Sequence, residues 1–251
     1  MPSSTKPEID KKQIQKAIKA LKTFSETNAS KNTLISSSVS VYLILGIFKT
    51  NEKQTLKPIR IKIPNPIHDI DSVSVCVFVK DPQRDWKEKL ANLKFIEKVS
   101  GVSKLRLKFK PYEAKRILCE SHDLFMADDR VLPLLPKILG KVFFDKKKQP
   151  VPVDLTKKDF EAEVKAALNS TYLFFTKGCC TSIKVGVVGL LTIDQIVDNV
   201  EAVIESAVGK LGGWENIQCL HLKLAESAAL PIFNKMPEFV ENEIIEAEIA
   251  A

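Results

Sequence analysis

Three histidines, five cysteines and one Asp-Asp pair are the residues of this 251-residue chain whose chemistry could make or break bonds. None is spaced for it. His68 follows a proline turn, His122 precedes an apolar run, and His221 alternates with Leu220 and Leu222, which places it on the polar face of a strand. The cysteines (Cys76, Cys119, Cys179, Cys180 and Cys219) are odd in number and lack the C-x-x-C spacing of a zinc or redox site. Most lie in apolar or strand-like runs, where a reduced thiol acts as a small hydrophobe. Adjacent Cys179 and Cys180 rarely close a relaxed disulfide and read as core or loop residues. Asp128-Asp129 reads as a helix cap rather than a metal site, since no third carboxylate or His accompanies it. Val185-Gly186-Val187-Val188-Gly189 has neither the dinucleotide fingerprint nor the Gly-Lys-Ser/Thr of a phosphate loop. The expectation is a protein that is not an enzyme and that uses no metal and no cofactor.

The cations carry more information. The chain has 38 Lys and Arg against 31 Asp and Glu, a net charge of +7. Residues 237–251 hold five glutamates and no cation, so the remainder carries 38 positive against 26 negative charges, or +12. A body that basic fits either plain solubility or a polyanionic partner. Lysines crowd the N-terminal segment (Lys6, Lys11, Lys12, Lys16, Lys19, Lys22, Lys31). They recur at Lys57, Arg60 and Lys62, in the alternating run Lys104, Arg106, Lys108 and Lys110, and at Lys146 to Lys148. Several such runs favour nucleic acid, which lysine attracts through phosphate irrespective of sequence. RNA is preferred, because no DNA-reading motif appears. Reduced cysteines point to cytosol or nucleus. No signal peptide, membrane span or lipidation signal is expected.

Periodicity sets the elements that must position these cations. Residues 10–28 fit a helix on Ile14, Ala17, Ile18, Leu21 and Phe24, capped by Asp10. Residues 38–48 fit a strand. Val73 to Val79 and Asp123 to Ala127 are apolar runs of the kind buried on both faces of a sheet. Residues 84–98 are expected to be helical, Val102 to Phe109 a strand with one wholly basic face, and Tyr112 to Cys119 a helix. Asp128 is expected to cap a helix running to Leu139 and stopped by Gly140. A helix over Lys157 to Leu168, strands at Tyr172–Thr176 and Ser182–Val188, a helix over 192–211 closed by Gly212-Gly213, and a last strand at Ile217–Leu224 complete the set. Pro64 with Pro66, and Pro150 with Pro152, mark two chain crossings. The reading is therefore α/β with two domains. Residues 1–65 and 152–251 form a discontinuous α+β domain whose acidic end, from about 237, frays or forms a solvated helix. Residues 66–151 form an inserted α/β unit.

Several segments resemble a known family. They are Pro58-Ile59-Arg60-Ile61-Lys62-Ile63-Pro64-Asn65-Pro66-Ile67, Val75 to Pro82, His122 to Asp128, Leu134 to Lys141, Lys184-Val185-Gly186 with Asn199-Val200, and Ser227-Ala228-Ala229-Leu230-Pro231-Ile232-Phe233. Taken in order along nearly the whole chain, they are similar to the ribosomal L-one superfamily, in its eukaryotic nucleolar branch. The resemblance implies a two-domain fold: a discontinuous α+β sandwich domain with an inserted Rossmann-like three-layer α/β domain. It implies binding of structured pre-ribosomal RNA in the nucleolus of the nucleus, without catalysis, by a monomer within a large ribonucleoprotein that includes pre-ribosome assembly proteins and no membrane. RNA contacts are implied at Ser38, Ser40 and Tyr42, at the turn of Thr181, Ser182 and Lys184, and at Ser227, with Lys31 and Lys223 as nearby cations. Ala228, Ala229 and Leu230 stand where the family's loop has Thr, Met and Gly. That departure favours an assembly factor over a ribosomal stalk protein. The acidic ending resembles members linked to small-subunit (90S-type) precursors more than those of the large subunit.

Overall fold

A computed structural model describes residues 10–31, 39–49, 57–69, 72–157, 159–175 and 178–235. The elements in chain order begin with α1 (Lys11–Lys31), β1 (Val39–Ile47), β2 (Ile59–Lys62), β3 (Val75–Val79), α2 (Gln83–Leu90), β4 (Ile96–Gly101) and α3 (Val102–Lys108). There follow α4 (Tyr112–Ser121), β5 (Leu124–Asp128), α5 (Leu135–Leu139), α6 (Lys141–Asp145), β6 (Val151–Val153) and α7 (Phe160–Leu168). The chain ends with β7 (Ser170–Leu173), β8 (Cys180–Val188), α8 (Ile193–Lys210), β9 (Ile217–Leu224) and β10 (Leu230–Asn234).

Two sheets organise the molecule, as expected for a mixed α/β chain. The first runs β10-β9-β1-β8, every neighbour antiparallel. Its strands alternate, so Val41, Leu43, Leu45, Ile183, Val185, Leu220 and Leu222 point to one face, where they meet α1 and α8. The other face is left open. The helices form for local reasons. Asp10 accepts from the Lys12 amide at 2.9 Å and starts α1. Thr192 and Gln195 form a reciprocal capping box at the start of α8. Gly212 and Gly213, at φ 93° and 91°, turn the chain out of it in a conformation that suits glycine. Gly46 suits β1 for another reason: a Cβ there would lie 2.5 Å from the Cys219 sulfur, which would have to move. The short pair β2-β7 is also antiparallel.

The second sheet, β4-β3-β5-β6, is wholly parallel. β3 is buried along its whole length, because helices cover both faces. On one side Phe78, Phe125 and Phe143 pack with Val102, Leu105, Leu118 and Cys119. On the other Val75, Val77 and Met126 pack with Leu90, Val164, Ala167 and Leu168.

Several expectations are corrected. The basic run of residues 104–110 is not a strand. α3 buries Val102 and Leu105 on one helical side, and β4 takes the place in the sheet that the alternation advertised. The helix expected over 84–98 accordingly ends at Leu90. The chain leaves the insert later than Pro150 and Pro152 imply. β6 is an edge strand of the parallel sheet, where a proline is tolerated, and α7 packs in the insert's core, so residues 152–168 belong there. β10 is a further edge strand beyond Ile217–Leu224. Phe24 is 41% exposed, and Ser25 takes the inward position. Asp128 is held by Arg130 at 2.7 Å and receives the Arg130 amide, so it closes a turn rather than capping α5. The acidic end from 237 and Ser38 lie outside the described residues.

The first crossing is fastened to the split body by one side chain. Asn199 of α8 is fully buried. Its Oδ1 accepts from the Asn65 amide at 2.9 Å, and its Nδ2 donates to the carbonyls of Asn65 and Val185, each at 3.0 Å. Asn65 returns a bond to the Gln195 carbonyl at 3.2 Å. Pro64 and Pro66 cannot donate to a ladder, so this amide clamp serves in place of one.

Candidate nucleic-acid interface

The open face of the antiparallel sheet is built by register. Tyr42 of β1 lies opposite Lys184 of β8 on one side and Lys223 of β9 on the other. Cations therefore flank a tyrosine in one row across three adjacent strands. The next row is Ser182, Ile44 and His221. A lysine bonds phosphate as a point charge and a tyrosine offers a stacking face, so the row has the two components that hold RNA backbone and unpaired bases.

The rim of this face is a cleft of about 520 Å³ between the sheet and the insert, lined among others by Tyr42, His68, Asp123, Lys147, Ser182 and Lys184. Burial lowers the Lys184 pKa from its ordinary value, while the Asp123 carboxylate opposes the change. The same burial, helped by the Lys184 charge, brings His68 down to about 4, again opposed by Asp123. His68 is thus neutral at physiological pH, and Lys184 is poorly solvated. An incoming phosphate would restore the partner that burial has removed from that ammonium. The resemblance assigns no RNA contact to His68 or Lys147, although Lys147 belongs to the basic run of Lys146 to Lys148. The proline-marked crossings beside them were the available signal.

The lysine runs divide sharply once placed. In the loop before β6, Lys146 pairs with Glu120 at 2.5 Å, and Lys148 donates to the carbonyls of Cys119 and His122 at 3.1 and 2.8 Å. Lys147, at φ +55°, instead lies over the Tyr42 ring at 5.1 Å. RNA reaching Tyr42 would have to displace that ammonium or engage it. Lys57 pairs with Asp129 at 2.7 Å, Arg60 with Glu163 at 2.6 Å and Lys11 with Glu201 at 2.7 Å. These three hold the frame together. The exposed lysines of α1 lie on the helix layer, across the sheet from Tyr42, and Lys31 is the last residue of that helix.

Of the residues implied by resemblance, the structure gathers Ser40, Tyr42, Ser182, Lys184 and Lys223 on the open face. Thr181 is displaced from it: it is 5% exposed and sits opposite Leu45 on the packed side of the alternation. Ser227 lies in the loop between β9 and β10. Its hydroxyl accepts from the Leu224 amide and donates to the Ala228 carbonyl, both at 2.9 Å, so its proton is engaged inside the loop. Among the described residues no group of three or more His, Cys, Asp or Glu is placed to hold a metal ion, and no helix is long and apolar enough to cross a membrane.

Comparison with known proteins bears on the family to which this mixed α/β chain belongs. The profile described as "Ribosomal protein L1p/L10e family" matches residues 7–228. The chain belongs to the ribosomal protein L1p/L10e family. Among its relatives, a Schizosaccharomyces pombe protein named for ribosome biogenesis is 39% identical over 205 residues, covering 77% of this chain and 54% of its own length. Ribosomal L1 domain-containing protein 1 of Mus musculus is 33% identical over 241 residues, 90% of this chain and 52% of its own. Ribosome biogenesis protein UTP30 of Saccharomyces cerevisiae is 24% identical over 251 residues, 87% and 88% of the two chains. The chain thus spans about half the length of the first two relatives. In this L1p/L10e member, Leu230 lies just beyond the residues that the family profile matches. It is already in β10, paired with Leu222.

Proposed function

We propose that this chain is a non-catalytic ribosome-biogenesis factor that grips structured pre-ribosomal RNA on the open face of its split sheet. It does so as a monomer within nucleolar pre-ribosomes, among other assembly proteins, with small-subunit precursors as its first site of action. The observation that carries this reading is the row Lys184, Tyr42 and Lys223, set on three adjacent strands of a sheet whose other face is closed by α1 and α8. The biogenesis names of its relatives support the same reading. The resemblance expects a loop glycine where this chain has Leu230, and the leucine favours an assembly factor over a stalk protein.

The test is RNA affinity as a function of salt. Each phosphate contact contributes about 0.9 to the slope of log affinity against log salt on duplex and about 0.7 on single strands. Lys184→Met, which keeps the packing of the aliphatic stem, and Lys223→Glu should each lower the slope by about one and weaken all RNA sequences alike. Unchanged slopes in both, with unchanged thermal unfolding, would place the interface elsewhere. Co-sedimentation then decides the particle: early small-subunit precursors are expected, whereas large-subunit precursors or mature polysomes would overturn the subunit assignment.

A further inference from the structure

The insert carries a second surface that the open sheet face does not explain. α3 and α4 both send their buried residues, Val102, Leu105, Leu118 and Cys119, into one core cluster with Phe78 and Phe125. They therefore lie on the same side of the parallel sheet, joined by only three residues, and both turn their remaining side chains outward on that side of the insert. That surface is unusual in what it shows to solvent. Leu107 is 81% exposed, Ile117 60% and Tyr112 58%. Cations surround them: Arg106, Lys108, Lys110 and Arg116 are exposed, and between residues 102 and 118 the one acid is Glu113. Arg116 lies over the Tyr112 ring at 5.0 Å, a cation–π contact that favours this arrangement of the two side chains.

Phosphate recognition accounts for the cations and leaves Leu107 and Ile117 without a purpose. Aliphatic side chains on a helix face add nothing to a polyanion's backbone contacts. They do anchor protein interfaces, where Tyr and Arg also concentrate the binding energy. Charge complementarity then sets the partner's chemistry: acidic side chains facing the cations, aliphatic ones facing Leu107 and Ile117. We propose that the outer face of α3 and α4 docks a segment of a partner protein that carries Asp or Glu beside aliphatic side chains. The surface lies on the insert, so it is occupied independently of the row Lys184, Tyr42 and Lys223.

The full chain and its Leu107→Asp, Ile117→Asp double variant are titrated, by fluorescence anisotropy, into a labelled synthetic helix of alternating Glu-Glu and Leu-Leu pairs. Both residues are exposed, and thermal unfolding checks that the variant keeps its fold. The expected result is at least a tenfold loss of peptide affinity in the double variant, with Lys223→Glu leaving that affinity within twofold. A uridine oligonucleotide should bind the double variant as it binds the parent. Equal peptide affinity in parent and variant overturns the proposal. So does a tenfold loss of oligonucleotide affinity, which would make the face an RNA surface. Sedimentation showing a dimer abolished by Leu107→Asp also overturns it, since the face would then be covered by a second copy. Failure of the Lys184 and Lys223 variants to alter RNA binding would leave this outcome untouched, so the two readings fail separately.

Discussion

The two halves of the molecule solve the same packing problem in opposite ways. The split body uses an antiparallel sheet with helices on one face, so its strands alternate inward apolar residues with outward Tyr42, Lys184, His221 and Lys223. The insert uses a parallel sheet covered on both faces, so β3 and nearly all of β5 are buried, and exposed side chains such as Glu97 are left to the edge strand β4. The difference assigns roles. A sheet face able to meet a folded polyanion exists only in the split body, and the insert presents partners chiefly with helix surfaces and loops.

The largest way to break this comparison is to empty the insert's core. Phe125 stacks on Phe78 and meets Phe143 edge-to-face, with ring centroids 5.7 and 4.9 Å away. Phe125→Ala should cost about 4 kcal/mol in urea unfolding. The body should keep its RNA affinity in native conditions if the two halves divide the work as described. Next comes the clamp between them. Asn199→Ala removes three hydrogen bonds, one buried and two partly buried, and should cost about 3 kcal/mol. Hydrogen exchange should quicken first at Asn65, and a uniform change across β1 instead would show that the clamp is not local.

The cleft sharpens the comparison through pH. Burial holds His68 near a pKa of about 4, whereas the unfolded chain takes up that proton near 6.5. Between those values the unfolded state binds more protons, so stability is full above about pH 6.5 and falls as pH drops toward 4, by up to about 3 kcal/mol. His68→Asn should flatten that part of the curve, and an unaltered profile would mean that the ring is solvated. The smallest effect belongs to Lys147, whose cation–π contact with Tyr42 is worth about 0.5–1 kcal/mol at an exposed site. Lys147→Ala should leave stability nearly unchanged and alter RNA affinity by no more than severalfold.

Several parts of this structure were legible in the residues. The α1 stripe, the glycine stop after α8 and the apolar runs of β3 and β5 reflect local sequence, which a neighbour can only reinforce. The run from Lys104 to Lys110 shows how local reading fails. A period of two persists over seven residues, yet Val102 and Leu105 also satisfy a helical stripe, and the vacancy in the sheet had already been filled by β4. Likewise Thr181 and Ser182 are equally polar in sequence, and only the register against Leu45 and Ile44 shows which one faces out.

By itself, the sequence determined a basic, two-rhythm α/β chain interrupted at two proline pairs, because composition and period are properties of neighbouring residues. Tertiary structure alone decided which lysines remain available. Lys11, Lys57, Arg60 and Lys146 meet acids from distant parts of the chain, while Lys184 and Lys223 come to flank Tyr42 across strands far apart in sequence. A charge run counts cations but cannot say where their counter-ions will be brought, since that is fixed by which elements fold against each other.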